Sequence, residues 1–254
     1  MTEMRLQRAL ARAGIASRRA AEELIRARRV KVNGTVAVIG MKVNAETDVI
    51  TVGRRRVTQA RKAWIALHKP VGYVVTKRDP QRRQTIFELI PEVPGLTYVG
   101  RLDVMTSGLL LLTNDGEATH RLMHPRFEVE RSYRVVVHGK TDDQIHAAFA
   151  KPIIIEGHAV NVKTIKTRPD RANSIEMLLV LAEGRYRIVR RICEKLGLAV
   201  ERLVRLSYGP IRLGDLAPGT WRYLTRSELA ALAGMPSESA VSSGTKKAVG
   251  RIGG

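Results

Sequence analysis

The chain has 254 residues, enough for two folded units with their own cores, and its hydrophobic content of 44% is ordinary for a globular protein. Its longest aliphatic run, residues 109–112, is far shorter than the ~20 residues that cross a bilayer, and one cysteine with six scattered histidines provides neither an internal disulfide nor a zinc site. The net charge of +20 favours a polyanionic partner, with a solvated basic surface as the alternative.

The N-terminal quarter opens with a helical pattern and carries half of the charge. Residues 1–62 contain fifteen Lys or Arg and five Asp or Glu, a net charge of +10. Apolar residues recur at helical spacing over residues 6–13, which predicts a short helix that Gly14 ends. The same stretch lacks the continuous apolar core of a secretion signal, so we expect a cytoplasmic protein.

A second helix and a hairpin follow. Ser17 is a suitable N-cap for a helix whose apolar stripe covers residues 20–25. The dipeptide Asn33-Gly34, flanked by valines, favours a tight hairpin turn. The sequence therefore predicts a helix-helix-hairpin module at the N-terminus.

Residues 4–50 resemble the alpha-L RNA-binding motif, both in the order of elements and in the arginines on the helices. Such a module grips folded RNA largely by its shape and its phosphates. The alternative is a basic helical hairpin that packs on its neighbour. The side chains predicted to bind RNA are Arg5, Arg8, Arg12, Arg18, Arg19, Arg26, Arg28, Arg29 and Lys31.

The rest of the chain predicts a larger α+β domain. Extended runs at residues 64–67, 73–76, 133–137 and 177–181 alternate with short helical patterns, which is typical of helices around a sheet. The last residues are polar and basic and cannot form a core. We therefore predict four segments: an RNA-binding domain at 1–58, a linker at 59–62, a catalytic domain at 63–235 and a disordered basic tail at 236–254.

The most informative segment lies at residues 100–116. It places Arg101 and Asp103 two positions apart, directly before the aliphatic run. An acid at such a position is paired, hydrogen-bonded or functional, because burying it alone is unfavourable. From the residues alone, an Asp that caps the helix or turn leading into Leu109 stays open as the alternative.

Four motifs resemble, in order, those of the RsuA/RluB/RluE/RluF family of ribosomal RNA pseudouridine synthases. The longest is the segment at 100–116, which reads GRLDVMTSGLLLLTNDG. The others read LHKPVGYVVT, RLMHPRFEVERSYRVVVHG and EGRYRIVRRICEKLG. The resemblance extends to about residue 230 and implies a synthase domain built on a mixed, mainly antiparallel sheet. One departure is Ile188, which stands where the family often has glutamine.

The resemblance implies a cofactor-free isomerisation in which Asp103 acts on a uridine flipped out of the RNA, either as a nucleophile or as a base. It also implies that Tyr133 lies against the uracil ring, that Arg190 keeps the carboxylate ionised, and that Arg101 helps to hold the extruded base. Helical spacing agrees, because Arg190 stands off an apolar stripe. From spacing alone, a solvated Arg190 and a core Tyr133 remain open. The stripe contains Ile188, Val189, Ile192 and Leu196.

Two functions of different classes follow. The first is an enzyme that isomerises a specific uridine in ribosomal RNA. The second is a non-catalytic RNA-binding factor for ribosome assembly, which has no chemical reason to keep an Asp, a Tyr and an Arg in register. Two stretches, LQRALARAG and LMHPRFEVERSY, resemble the branch that acts on large-subunit (23S) RNA more than the small-subunit branch. We expect a monomer that acts on 23S rRNA or a large-subunit assembly intermediate, with no cofactor, no metal and no membrane partner.

Overall fold

The computed structural model describes residues 3–171 and 173–235, so the predicted basic tail at 236–254 lies outside the described residues. The N-terminal part has two helices and six short strands, which share a cluster of buried aliphatic side chains. In chain order these are β1 (Met4–Arg5), α1 (Leu6–Arg12), α2 (Arg18–Arg26), β2 (Val30–Val32), β3 (Thr35–Val36), β4 (Lys42–Val43), β5 (Ile50–Val52) and β6 (Arg55–Arg56).

Local signals set the limits of these elements, as predicted. α1 ends before Gly14, whose φ of 74° favours glycine. Ser17 caps α2 by accepting a hydrogen bond from the Ala20 N–H. The hairpin forms between β2 and β3, where Asn33 and Gly34 have φ values of 50° and 83°. β5 and β6, which the sequence did not predict, extend it to a four-stranded antiparallel sheet in the order β3-β2-β5-β6.

The larger part of the chain forms one nine-stranded sheet with helices packed on it. Its elements are β7 (Trp64–Lys69), a 3-10 helix (Ile86–Glu88), β8 (Thr97–Val99), β9 (Ser107–Thr113), α3 (Gly116–Met123), a second 3-10 helix (Pro125–Phe127), β10 (Arg131–His138), α4 (Asp142–Phe149), β11 (Ile154–Ile155), β12 (His158–Ala159), β13 (Val162–Pro169), β14 (Ile175–Leu181), α5 (Ile188–Lys195), β15 (Ala199–Tyr208), β16 (Ile211–Arg212), β17 (Trp221–Tyr223) and α6 (Arg226–Ala233).

The strand order is β13-β14-β10-β15-β9-β7-β17, with β16 paired to β15 and β8 to β9, while β11 and β12 form a separate hairpin. The strand pairs of this sheet are antiparallel except for β9 with β15. The predicted α+β fold with a mixed, mainly antiparallel sheet is confirmed. Within the described ranges, no helix has the length and apolar character needed to cross a membrane.

Both faces of the sheet are covered at its centre. On β9, Leu109 and Leu111 pack in one cluster, while Leu110 and Leu112 pack in another on the opposite face. Strands buried on both faces are continuously apolar and do not alternate. The aliphatic run found in the sequence is therefore a central strand.

The parallel contact between β9 and β15 positions the loop at residues 100–106. Gly108 pairs with Arg205 in this contact and has a φ of 110°. A Cβ atom at residue 108 would collide with the backbone of Arg205, so glycine is what lets the strands approach. The loop before β9 is thereby held beside β15.

The strand predicted at residues 73–76 is wrong. This segment is irregular, and Val74 makes a single isolated bridge with Thr85. Gly72, with a φ of 96°, turns the chain away from β7 and donates its N–H to the carbonyl of Val104. The side chains of Tyr73 and Val75 lie in the cluster beneath the sheet, which explains their apolar character without strand pairing.

Candidate active site

A cleft of about 590 Å³ opens where the loop before β9 faces β10, β15 and α5. Its size is in the range of small-ligand pockets. The four residues predicted to form the catalytic site come from three motifs, and the fold brings all of them to this cleft. They are Arg101, Asp103, Tyr133 and Arg190.

The turn that carries Asp103 is fixed through its backbone. The Asp103 carbonyl accepts a hydrogen bond from the Thr106 N–H at 3.1 Å, and the Met105 carbonyl accepts one from Arg190 Nη2 at 2.7 Å. The turn therefore uses the backbone oxygen of Asp103. Its carboxylate is left to face the cleft.

Lys69, at the end of β7, is buried beneath this turn. Its Nζ donates hydrogen bonds to the carbonyls of Val104 at 3.2 Å, Thr106 at 2.8 Å and Pro70 at 2.9 Å. Burial lowers the pKa of Lys69 to about 8, and the negative charge of Asp103 opposes this shift. All four carbonyls of the turn are thus hydrogen-bonded, two of them by one buried ammonium.

The Asp103 carboxylate lies between two guanidinium groups. Its Oδ2 is 3.9 Å from Arg190 Nε and 3.8 Å from Arg187 Nη1. The side chain of Asp103 is 25% exposed, that of Arg190 17% and that of Arg187 43%, so Arg190 is the more shielded partner. Nearby cations favour the ionised form of a carboxylate. The predicted proximity of Arg190 and Asp103 is observed, with a second cation that was not predicted.

Aromatic and guanidinium groups form the floor of the cleft. Tyr133 is buried on β10 opposite Arg205 on β15, whose Nε donates to the Leu109 carbonyl at 2.8 Å. Burial lowers the pKa of Arg205, and the neighbouring Tyr133 opposes this shift. Arg131 and Arg205 lie over the ring of Tyr208, 4.5 and 5.0 Å from its centroid. These cation–π contacts stabilise the floor of the cleft.

Three further predicted features have distinct positions. Arg101 is exposed at the rim of the cleft, where RNA can reach it. Ile188 is buried in the cleft wall, so the wall is apolar where the family often has an amide. Burial raises the pKa of the Cys193 thiol to about 12, which keeps this group protonated and unreactive.

The predicted RNA-binding side chains fall into two groups. Arg8 Nη2 lies 3.6 Å from Glu117 Oε2, and a Cβ atom at Gly95 would collide with the Arg12 carbonyl, so this side of α1 faces the larger domain. Arg5 Nη1 donates to a backbone carbonyl of its own module. The other predicted side chains are exposed: Arg18, Arg19, Arg26, Arg28, Arg29 and Lys31. Binding of RNA by either group stays a prediction.

Sequence reasoning missed Arg187, Lys69 and Arg205. Arg187 precedes α5 with a φ of 51°, and this turn directs its side chain to Asp103. Lys69 had a signal in the sequence, because it ends an otherwise apolar strand inside a recognised motif. Arg205 lay in a stretch without a motif. Only the pairing of β15 with β10 brings it opposite Tyr133.

Comparisons with known proteins identify the family of this chain. The model of the RNA pseudouridylate synthase family matches residues 63–195, and the S4 domain model matches residues 4–50. An uncharacterized RNA pseudouridine synthase of Aquifex aeolicus is 41% identical over 235 residues, which cover 91% of this chain and 94% of that protein. The ribosomal large subunit pseudouridine synthase B of Haemophilus influenzae is 38% identical over 258 residues, which cover 96% of this chain and 72% of that protein.

A solved structure supports the same assignment. A crystal structure of pseudouridylate synthase aligns with a TM-score of 0.61 at 30% identity, and the alignment covers 90% of this chain and 99% of that chain. The family model alone spans more than half of the chain and contains Asp103, Tyr133 and Arg190. The chain therefore belongs to the RNA pseudouridylate synthase family and carries an S4 domain in front of the synthase domain.

Proposed function

We propose that this protein converts one specific uridine of large-subunit ribosomal RNA into pseudouridine, with Asp103 as the reacting carboxylate. The observation that carries the proposal is a carboxylate held between two guanidinium groups in a cleft of about 590 Å³. The choice of the large subunit rests on relatives of 38% and 40% identity that bear that name, from Haemophilus influenzae and Escherichia coli. We further propose that the protein is a cytoplasmic monomer that binds 23S rRNA or a large-subunit assembly intermediate.

The proposed reaction begins with extrusion of the uridine. Unstacking a base is unfavourable by ~a few kcal/mol, so contacts to the extruded base have to offset it. Tyr133 and the apolar side chain of Ile188 line the cleft and offer surfaces for the uracil ring, while Arg101 stands at the rim. The base thus exchanges its neighbours in the RNA for an aromatic and an aliphatic surface.

Asp103 then acts on the sugar or the base. The C1′–N1 bond breaks and its electron pair goes to the uracil, which turns and forms a bond from C5 to C1′. C5 loses a proton and N1 gains one, so the reaction is an isomerisation. Asp103 can act by covalent attack or by removing a proton from the ribose, and both need the ionised carboxylate. Arg190 Nε and Arg187 Nη1 lie 3.9 and 3.8 Å from Oδ2 of that carboxylate.

The N-terminal module is proposed to position the RNA and take no part in the chemistry. We divide the chain into an RNA-binding domain (1–58), a linker (59–62) and a catalytic domain (63–235). An exposed set of basic side chains on the module suits contacts with phosphates. The S4 domain match over residues 4–50 supports RNA as its partner.

The direct test uses chemical mapping of pseudouridine. Ribosomal RNA from a strain lacking the gene, incubated with purified protein, should gain pseudouridine at one large-subunit position. Asp103→Asn should abolish the product and leave RNA affinity within roughly a few-fold, because most affinity comes from phosphate contacts. Asp215→Asn is the matched control, since Asp215 is exposed and does not line the cleft.

The outcomes separate the two classes of function. Product with the parent and none with Asp103→Asn supports the enzyme. Binding without product by the parent on both naked RNA and subunit precursors would favour the non-catalytic assembly factor. Product at a small-subunit position would retain the chemistry and overturn the proposed substrate.

A further inference from the structure

An unusually exposed group of large side chains lies at the rim of the cleft. Tyr186 is 69% exposed, Met105 62% and Met123 46%. All three line a groove of about 710 Å³ that continues from the catalytic cleft and shares Arg101 and Asp103 with it. This rim cluster (Tyr186, Met105 and Met123) is therefore continuous with the proposed site of the flipped uridine.

Exposed rings are uncommon in this chain. The sequence has only eleven Phe, Trp and Tyr residues, and among the described residues Tyr186 and Tyr223 are the aromatic side chains found among the exposed large hydrophobic ones. Tyr223 packs edge-on against Trp221, with ring centroids 5.3 Å apart, and lies outside the groove. Tyr186 thus stands out as an exposed ring beside the reacting carboxylate.

The two residues that flank Tyr186 both contact other parts of the protein. Arg185 pairs with Glu183 and donates from Nη1 to the Ile155 carbonyl at 3.0 Å. Arg187 has a φ of 51° and reaches Asp103. Because both flanking side chains are fixed toward the protein, the ring between them is presented at the rim.

The surroundings of the rim cluster indicate what kind of partner it binds. Arg101, Arg185 and Arg187 line the same groove, so the apolar surface is bordered by positive charge. A nucleic-acid strand fits both features, since its phosphates pair with guanidinium groups and its bases stack on rings. Extrusion of the uridine also leaves the adjacent base without one stacking neighbour.

We propose that the rim cluster is a stacking subsite, in which the Tyr186 ring binds the nucleobase next to the target uridine. This rests on the proposed function, because the base concerned is defined by the uridine that the enzyme flips. Stacking on an aromatic side chain tolerates different bases, so the subsite adds affinity for the RNA strand. Tyr186 is a binding residue, separate from the residues that act on the uracil.

The test uses an RNA fragment that contains the mapped uridine, with 2-aminopurine at the adjacent position. Binding of the parent protein should quench the fluorescence through the ring of Tyr186. Tyr186→Ala should weaken binding by about 5- to 100-fold and lose the quenching, as expected for one lost stacking contact. The single-turnover rate at saturating RNA should stay within roughly threefold, since the residue does not touch the reacting atoms.

Two further variants make the result specific. Tyr186→Phe keeps the ring and should bind and quench like the parent. Tyr223→Ala removes the other exposed tyrosine, 55% exposed, and should change nothing. Equal losses for Tyr186→Ala and Tyr186→Phe would overturn stacking in favour of a hydroxyl contact, and parental binding by Tyr186→Ala would overturn the subsite. Absence of pseudouridine with the parent would instead refute the proposed function, and this is measured separately from binding.

Discussion

The two cations at Asp103 should contribute unequally to catalysis. Arg190 and Arg187 lie at nearly the same distance from Oδ2, 3.9 and 3.8 Å. At an effective dielectric constant of ~20, the Coulomb attraction between two unit charges at either distance is about 4 kcal/mol. Arg187 is 43% exposed, so solvent screening reduces its attraction to Asp103 to ~1 kcal/mol or less. Arg190 is only 17% exposed and also donates a hydrogen bond to the Met105 carbonyl.

Removal of Arg190 should therefore be the more damaging change. We expect Arg190→Met to lower the single-turnover rate by roughly 10²- to 10³-fold and Arg187→Met by less than about tenfold. Arg190→Lys should fall between the parent and the Met variant, because a lysine keeps the charge but cannot reproduce the two directions of the guanidinium. Rates are measured at saturating RNA, so that altered binding does not enter.

A neighbouring arginine provides the control. Arg191 follows Arg190 on α5 but pairs with Glu156 at 2.7 Å, and it does not line the cleft. Arg191→Met should therefore retain the parental rate. An equal loss for Arg187→Met and Arg190→Met would refute the assignment of Arg190 as the dominant partner, and a parental rate for Arg190→Met would show that the pairing has no role in the reaction.

Other predictions concern the parts that support the site. Lys69→Met removes hydrogen bonds to three carbonyls, of which that of Val104 keeps the Gly72 N–H as a donor. It should lower the free energy of unfolding by ~2–4 kcal/mol, measured by urea titration at pH 7. The pKa of Lys69 is about 8 instead of 10.5, so between these values the folded protein binds fewer protons than the unfolded chain. The free energy of unfolding of the parent should therefore increase relative to that of Lys69→Met as pH rises from 8 to 10.5. A constant difference between the two free energies would contradict the burial of a charged Lys69. Gly108→Ala should prevent folding or strongly lower the midpoint of thermal unfolding, because the added Cβ atom collides with the backbone of β15. A parental midpoint in a melting curve would count against the close approach of β9 and β15. Replacing Arg19, Arg28 and Arg29 by Gln should weaken RNA binding and reduce the magnitude of the slope of log affinity against log salt by up to about 2–3. The rate at saturating RNA should be retained. An unchanged slope would show that the RNA does not bind to these three side chains.

Local features of the N-terminal module could be predicted from the sequence because they depend on neighbouring residues. The cap at Ser17, the end of α1 at Gly14 and the Asn33-Gly34 turn all follow from backbone preferences within a few positions. The aliphatic run at residues 109–112 was recognised in the sequence, but that it is a strand is seen only in the structure. Strands β5 and β6 gave no such signal, because β5 forms by pairing with β2 across a long separation in the chain and β6 then pairs with β5.

The site itself was predictable only where a motif named a residue. Asp103, Tyr133, Arg190 and Arg101 were identified through recognised segments, and the fold brings them to one cleft. Their chemical roles remain predictions that the variants above test.

The surroundings of those residues were decided by the tertiary structure. Lys69 became a buried donor because β7 ends under the turn of Asp103, and Arg205 became part of the floor because β15 pairs with β10. The apolar residues at 73–76 predict a strand although they do not form one, because side chains buried by packing alone and side chains of a paired strand give the same sequence pattern. The sequence pattern indicates which side chains are buried. Which residues contact each other, and how those contacts shift pKa values, depends on distances between segments that only the folded chain determines.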